Sequence, residues 1–174
     1  IRTGYNAIAD EWAGITPDIM ASAKGLGGGF PIGATLATER VAETMTAGSH
    51  GTTYGGNPLA VAAGNAVLDV VLAPGFLENV AKVSAEFMNG LKKLVAAYPD
   101  QLEDCRGKGL MVGLKCKITN GDLVNKAIDH GLLSVPAGDN VVRFVPPMVV
   151  TSADVAEALE KLDAALNDLK NEEA

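Results

Sequence analysis

Apolar positions along this chain change their period three times, and each change predicts an element. Residues 17–23 and 30–38 are short apolar runs bounded by Gly and Pro, which predicts two buried strands flanking a loop that holds Lys24. Asn57-Pro58 predicts a helix start, since Asn suits the N-cap and Pro the first helical position. From Leu59 to about Leu72 only Asn65 and Asp69 are polar, so this helix is expected to be largely buried. Pro74-Gly75 breaks it. A second, amphipathic helix then runs to about Tyr98, with Val80, Phe87, Leu91 and Leu94 recurring at helical steps before Pro99.

The character shifts after Asp100. Strand-like runs fall at Leu110–Cys116, Leu132–Val135 and Val141–Val145, with a helix expected at Asp122–His130 between the first two. Thr151-Ser152-Ala153-Asp154 fits a capping box, and the helix beyond it carries a stripe including Val155, Leu159, Leu162 and Leu166. Glu157 and Lys161 are spaced to pair along that helix. A boundary near residue 100 therefore divides the chain into 1–99 and a small α+β unit at 100–174.

Composition narrows the function classes. The 174 residues are 48% hydrophobic and 20% charged, too apolar for disorder. The net charge of −7, with no cluster of basic residues, argues against nucleic acid or an anionic membrane as partner. No run of roughly 18 apolar residues suggests a membrane span. Cys105 and Cys116 lack metal-ligand spacing, and His50 and His130 are too few and too far apart for a zinc site. Two reduced thiols in a cytoplasmic protein are the expectation.

Three constellations carry candidate chemistry. Lys24 follows one apolar run and precedes Gly25 and Gly27–Gly29. A phosphate-binding P-loop places its glycines before the lysine, and a dinucleotide fingerprint needs a glycine where Phe30 stands. What remains is a solvated loop residue, or a lysine at a strand end that holds a carbonyl covalently once burial favours its neutral amine. The segment His50-Gly51-Thr52-Thr53-Tyr54-Gly55-Gly56 sets hydroxyls and glycines ahead of the Asn57-Pro58 helix start. It suits either an ordinary capping turn or a phosphate site. Arg143 lies inside the apolar strand Val141–Val145, where a buried guanidinium needs a carboxylate, from the protein or from a substrate.

In this order, the stretches TPDIMASAKGLGGGFPIGA (16–34), HGTTYGGNPLA (50–60), RGKGLMVGLK (106–115) and NVVRFVPPMVVT (140–151) resemble the class III (subgroup II) pyridoxal-phosphate-dependent aminotransferases. The resemblance runs from about Thr16 to Leu166. It implies an α/β chain: part of the type I fold, with a large domain built on a mostly parallel sheet and a small C-terminal α+β domain. It implies that Lys24 holds pyridoxal 5'-phosphate covalently and acts as catalytic base. Thr53 would bind the cofactor phosphate of the neighbouring subunit in a homodimer. Arg143 would grip the α-carboxylate of the substrate.

The reaction implied is transfer of the amino group of N-acetyl-L-ornithine to 2-oxoglutarate, giving N-acetyl-L-glutamate 5-semialdehyde and L-glutamate in arginine biosynthesis. Alternatives within the group act on ornithine, succinylornithine, succinyldiaminopimelate or 4-aminobutyrate. Residues Gly4–Trp12 depart from the family pattern. The family's ring-nitrogen aspartate, phosphate loop and stacking aromatic residue precede the region matched, so the chain is expected to be the C-terminal half of a longer enzyme and inactive by itself.

Overall fold

Short apolar runs separated by glycines give short strands, and the N-terminal part of the chain is built from them. The structure, a computed structural model, describes residues 14–172; the unusual segment Gly4–Trp12 lies outside the described residues. Strand β1 (Ile19–Ser22) pairs antiparallel with β2 (Ala34–Ala37), Ile19 opposite Ala37 and Ser22 opposite Ala34. A 3-10 turn, Lys24–Gly27, follows β1, and a short helix α1 (Glu39–Ala42) follows β2. Asp18 ties the pair together at its open end: its backbone O accepts from Thr38 N at 2.9 Å, and its carboxylate accepts from Arg40 at 2.7 Å.

Helix α2 (Pro58–Val71) starts where the sequence indicates. The Asn57 side chain accepts the Ala60 amide at 2.9 Å, satisfying a donor that the first turn otherwise leaves unpaired. Two expectations fail in this unit. The strands are mostly exposed rather than buried, and α2 buries only Ala60, Gly64 and Val71 along its length. Leu59 and Leu72 are more than half exposed, because among the described residues nothing covers that side of the helix.

From Glu78 onward the described residues form a second compact unit, with the division at Leu77/Glu78. Helix α3 (Phe76–Ala97), which lies within the 1–99 span read from the sequence, packs with the second unit for nearly all its length. Pro99 marks the end of a helix whose apolar stripe is already committed to the core that follows. That core collects Val83, Phe87, Leu91 and Leu94 of α3 against the sheet.

Four strands make the sheet, β3 (Leu102–Lys108), β4 (Met111–Cys116), β5 (Val135–Ala137) and β6 (Val141–Phe144), in the order β3-β4-β6-β5. Every described strand pair in the chain is antiparallel, so the mostly parallel sheet implied by the resemblance is not found among the described residues. β5 forms three residues later than the run Leu132–Val135 suggests. Its Pro136, which cannot donate to a ladder, is tolerated because β5 is an edge strand.

Alternation decides the two faces of this sheet. Val112, Leu114 and Cys116 of β4 and Val142 and Phe144 of β6 point into the core with α3, α4 (Asn120–Asp129) and α5 (Ser152–Glu172). The Phe87 and Phe144 rings meet edge to face, their centroids 5.6 Å apart. Gly90 lets α3 and α5 approach closely, since a Cβ built there would lie 2.1 Å from Leu159 Cδ1. The intervening residues, Arg106, Lys115 and Arg143 among them, project from the opposite face. Among the described residues no single helix is long and apolar enough to cross a membrane.

The capping box at α5 forms as the sequence indicates. Thr151 donates from its amide and its hydroxyl to the Asp154 carboxylate, at 2.8 and 2.7 Å, and the Asp154 amide returns a bond to Thr151 Oγ1. The bonds from the Thr151 amide, then from its hydroxyl, hold the Asp154 carboxyl below its usual value of 3.8. Since the folded value is depressed, the stabilisation is present above pH 3.8 and is lost as pH falls through the folded value. Asp154→Asn should lower the denaturation midpoint at pH 7 and make progressively less difference as pH falls below 3.8, measured by urea unfolding across that range.

Candidate functional site

Three consecutive turns of loop hydrogen bonding carry Lys24 away from β1. Leu26 N bonds to Ala23 O at 3.3 Å, Gly28 N to Gly25 O at 3.2 Å and Phe30 N to Gly27 O at 2.9 Å. Lys24 itself has φ 55, the left-handed conformation that side chains other than Asn, Asp and Gly rarely adopt. The strain is held by packing around it. A Cβ on Gly27 would lie 2.7 Å from Ile32 Cγ2, and one on Gly28 (φ +61) would lie 2.8 Å from Val67 Cγ2 of α2. Gly64, on the same helix, faces Leu26 O. Side chains at these positions would push the turn off α2 and release Lys24 from its conformation.

Lys24 is exposed, and no hydrogen bond or ion pair involves its amine among the described residues. The burial that a covalent lysine requires is thus not supplied by the described residues. The amine is nonetheless unspent, on backbone that costs energy to hold, and strain of this kind concentrates at functional sites.

The second constellation resolves into two differently used threonines. Thr52 Oγ1 accepts the Gly55 amide at 3.1 Å, and Gly55 must be glycine because a Cβ would lie 2.3 Å from Thr52 Cγ2. Asn57 donates to Tyr54 O at 2.9 Å while capping α2. Thr52 and Asn57 therefore serve the turn, whereas Thr53 stays exposed with no side-chain hydrogen bond among the described residues. Of the two alternatives the sequence left open, the capping turn forms on Thr52 and Asn57, and it leaves the Thr53 hydroxyl unused by it. Helix α2 joins them: Thr53 stands just ahead of its N-terminus, and its middle supports the Lys24 turn.

Arg143 belongs to the second unit. It sits mid-β6, opposite Gly113 on β4 and Val135 on β5. Its neighbours Val142 and Phe144 are buried and Arg143 is exposed, so the expectation of a guanidinium buried among valines is corrected by simple alternation. No ion pair involves Arg143 among the described residues. A cavity of about 380 Å³, lined by Phe87, Ser134, Phe144 and Pro146, opens beside it. The Ser134 hydroxyl in that wall is buried with no partner among the described residues.

Sequence reading passed over the charges that share the sheet face with Arg143. Asp139 accepts from Arg106 Nη2 at 2.8 Å and from Lys115 Nζ. Lys115 first, then Arg106, hold its carboxyl below the usual 3.8. The run Gly138-Asp139-Asn140 between two strands was the available signal, because Asp and Asn tolerate left-handed turns. Cys105 and Cys116 are free and buried, and burial pushes the Cys116 thiol up to about 11.

The strain at Lys24 has a measurable cost. Removing the side chain to glycine relieves it, whereas removal to alanine does not. Lys24→Gly should be more stable than Lys24→Ala by about 1 kcal/mol in denaturant unfolding. Equal stability of the two would show that the conformation is unstrained.

With this geometry in hand, comparison with known proteins gives a consistent result. The sequence matches the family described as Aminotransferase class-III over residues 2–166. An acetylornithine aminotransferase of Brucella melitensis is 56% identical over 168 residues, covering 97% of this chain and 41% of that protein. The crystal structure of acetylornithine aminotransferase from Elizabethkingia anophelis superposes with a TM-score of 0.88 at 31% identity, over 96% of this chain and 43% of that one. An ornithine aminotransferase from Toxoplasma gondii superposes with a TM-score of 0.90 at 28% identity, over 98% and 41%. The chain thus spans about two fifths of the length of the curated relative it matches. Matched over residues 2–166, the chain belongs to the class-III aminotransferases.

Proposed function

We propose that the protein carrying this chain is a pyridoxal-phosphate-dependent aminotransferase that moves the amino group of N-acetyl-L-ornithine to 2-oxoglutarate. The products are N-acetyl-L-glutamate 5-semialdehyde and L-glutamate, a step of arginine biosynthesis. The observation that carries this reading is Lys24, an unpaired amine on strained backbone seated against α2. The name of the Brucella melitensis relative supports the choice of donor. The first unit would then be part of the large cofactor-binding domain and the second the small C-terminal domain.

The donor set fits the cofactor. Lys24 Nζ would hold its aldehyde carbon, and the Thr53 hydroxyl, beside the positive end of α2, would hold the phosphate of the neighbouring subunit's cofactor. When bound, pyridoxal phosphate supplies an electron sink for the bond broken at the substrate α-carbon. The Lys24 amine would take the substrate α-proton on Nζ and later return it. Arg143 offers a planar, unpaired guanidinium to the α-carboxylate that amino donor and glutamate share. The exposed apolar residues of the first unit, Leu59, Val70 and Leu72 of α2 and its C-terminus included, support a homodimer in which Thr53 serves the neighbouring subunit's cofactor.

A second reading, ornithine as donor, draws on the Toxoplasma gondii structure. The two separate on a substrate panel with the full-length protein and 2-oxoglutarate. N-acetylornithine should give a kcat/KM at least tenfold above ornithine; the reverse order would move the assignment to ornithine. Borohydride reduction of the holoenzyme should fix the label on the peptide containing Lys24, and label on Lys108 or Lys115 would refute the lysine's role. Thr53→Val preserves shape and removes the hydroxyl. Cofactor affinity should fall by about 1–3 kcal/mol, the usual loss for one hydrogen bond to a charged group, as read by equilibrium dialysis.

A further inference from the structure

Residues in register across an antiparallel sheet project from the same face. Arg106 on β3 is registered with Gly113 on β4, and Gly113 with Arg143 on β6. With strands about 4.8 Å apart, the two arginines stand about 10 Å apart at Cα. Gly113 has no side chain of its own, and Val141 Cγ1 fills the place a Cβ would take there, so an anion spanning the two arginines lies over Val141. Lys115 occupies the next row of the same face, between Asp104 and Val141. An anion that reaches Arg143 therefore arrives within a side chain's length of two further cations.

Asp139 engages both of those cations and leaves Arg143 alone. One carboxylate oxygen accepts from Arg106 Nη2 at 2.8 Å and the other from Lys115 Nζ. The Arg106–Asp139 pair is too exposed to be explained by the folding energy it contributes, since both side chains are 61% exposed. Lys115 is 18% exposed and donates to the Asp139 backbone O as well, at 2.6 Å, so Arg106 is the cation that the carboxylate alone restrains. Nor does the turn need the carboxylate. Asp139 (φ 60) and Asn140 (φ 51) are both left-handed, and the Asn140 side chain fixes the turn. Asn140 Nδ2 donates to Cys116 O at 2.8 Å and to Ile118 O at 2.7 Å, and its Oδ1 accepts from Asn120 N at 2.9 Å. With the backbone held by Asn140, the Asp139 carboxylate is free to act on the charges of the face.

We propose that Asp139 is a specificity-determining positioning residue: by pairing with Arg106 and Lys115 it withholds them from the Arg143 face, so that a substrate carboxylate finds one unpaired guanidinium there. The proposal rests on Arg143 as the carboxylate clamp. Its consequence is selection by charge number. A monocarboxylate end is bound by Arg143 alone, whereas a dicarboxylate that could bridge Arg106 and Arg143 over Val141 gains nothing from its second charge. An uncovered Arg106 would favour such bridging and hold dicarboxylates across the face in an unproductive register.

The test is acetate and glutarate binding to the full-length holoenzyme by calorimetry. Asp139→Asn keeps a residue that tolerates the left-handed turn and removes the charge. It should tighten glutarate binding at least fivefold, leave acetate within twofold, and raise inhibition by glutarate in assays without a matching fall in kcat. Asp139→Asn combined with Arg106→Gln should restore the original glutarate affinity, which a merely structural lesion would not do. Arg106→Gln alone should leave glutarate unchanged, because paired Arg106 contributes nothing; a several-fold loss in this variant overturns the proposal even if Asp139→Asn does not fold. Unchanged or weaker glutarate binding in folded Asp139→Asn overturns it as well. Arg143→Gln separates the two levels: if it abolishes acetate binding while Asp139→Asn is inert, only the Asp139 proposal fails. If it leaves acetate binding intact, the clamp reading fails and takes the proposal with it.

Discussion

Everything at Lys24 depends on how closely its turn can approach α2. Two glycines set that distance, Gly28 against Val67 and Gly64 on the helix beneath Leu26, while Gly27 lets the loop fold tightly on its own Ile32. Loop closure by hydrogen bonds within residues 23–30 gives the turn its shape but cannot place it. Contact with the helix does so, and it is contact of backbone on helix with little side-chain padding. Such an arrangement is stiff, since a packed interface transmits any added volume as displacement. Gly25 beside Lys24 has open space around it, so the positive φ of Lys24 is held from further along the turn, where Gly27 and Gly28 are seated against their neighbours.

The second unit achieves its arrangement by a different route, the period-2 alternation of an antiparallel sheet covered on one side. The same strands that send Val112, Leu114, Val142 and Phe144 into the core must send Gly113, Lys115 and Arg143 to the other face. A one-residue slip of β6 would bury Arg143 and expose Phe144. The register of the cation is therefore enforced by the cost of uncovering an aromatic residue that packs on Phe87. Core packing and placement of the functional group are one constraint here.

Elements with a chemical punctuation mark were legible in the sequence. Asn57-Pro58 and Thr151–Asp154 form the caps expected of them, and the Glu157–Lys161 pair closes at 2.6 Å. Strand β3 was not legible, because Leu102–Lys108 is mostly charged and only Leu102 and Cys105 turn inward, out of strict alternation where the register shifts. Burial was the weakest inference. An apolar run specifies that a surface prefers cover, not that cover lies within the same stretch of chain, and Leu59 and Leu72 stay exposed for that reason. The candidate residues were found by residue type and position, but their partners were not. Nothing in the spacing of Thr52 and Thr53 says which hydroxyl the turn consumes, and only the Gly55 amide decides it.

The two units also differ in where their stability comes from, and this bears on the chemistry. The second holds a contiguous core in which Leu91, Leu114, Leu123 and Leu162 are fully buried. Among the described residues the first carries Lys24 and Thr53 beside a two-stranded ribbon, the one-turn α1 and α2, with few buried side chains and several exposed large apolar ones. A two-stranded ribbon is marginal by itself in water. Strain at Lys24 thus falls on the unit least able to bear it from its own contacts, so the binding energy of whatever covers the apolar side of α2 must help to hold the lysine in place. On the homodimer reading this couples assembly to chemistry, because burying Leu59 and Leu72 would steady the helix on which the Lys24 turn rests. The amine would then become rigid only where a neighbouring subunit is present to present Thr53.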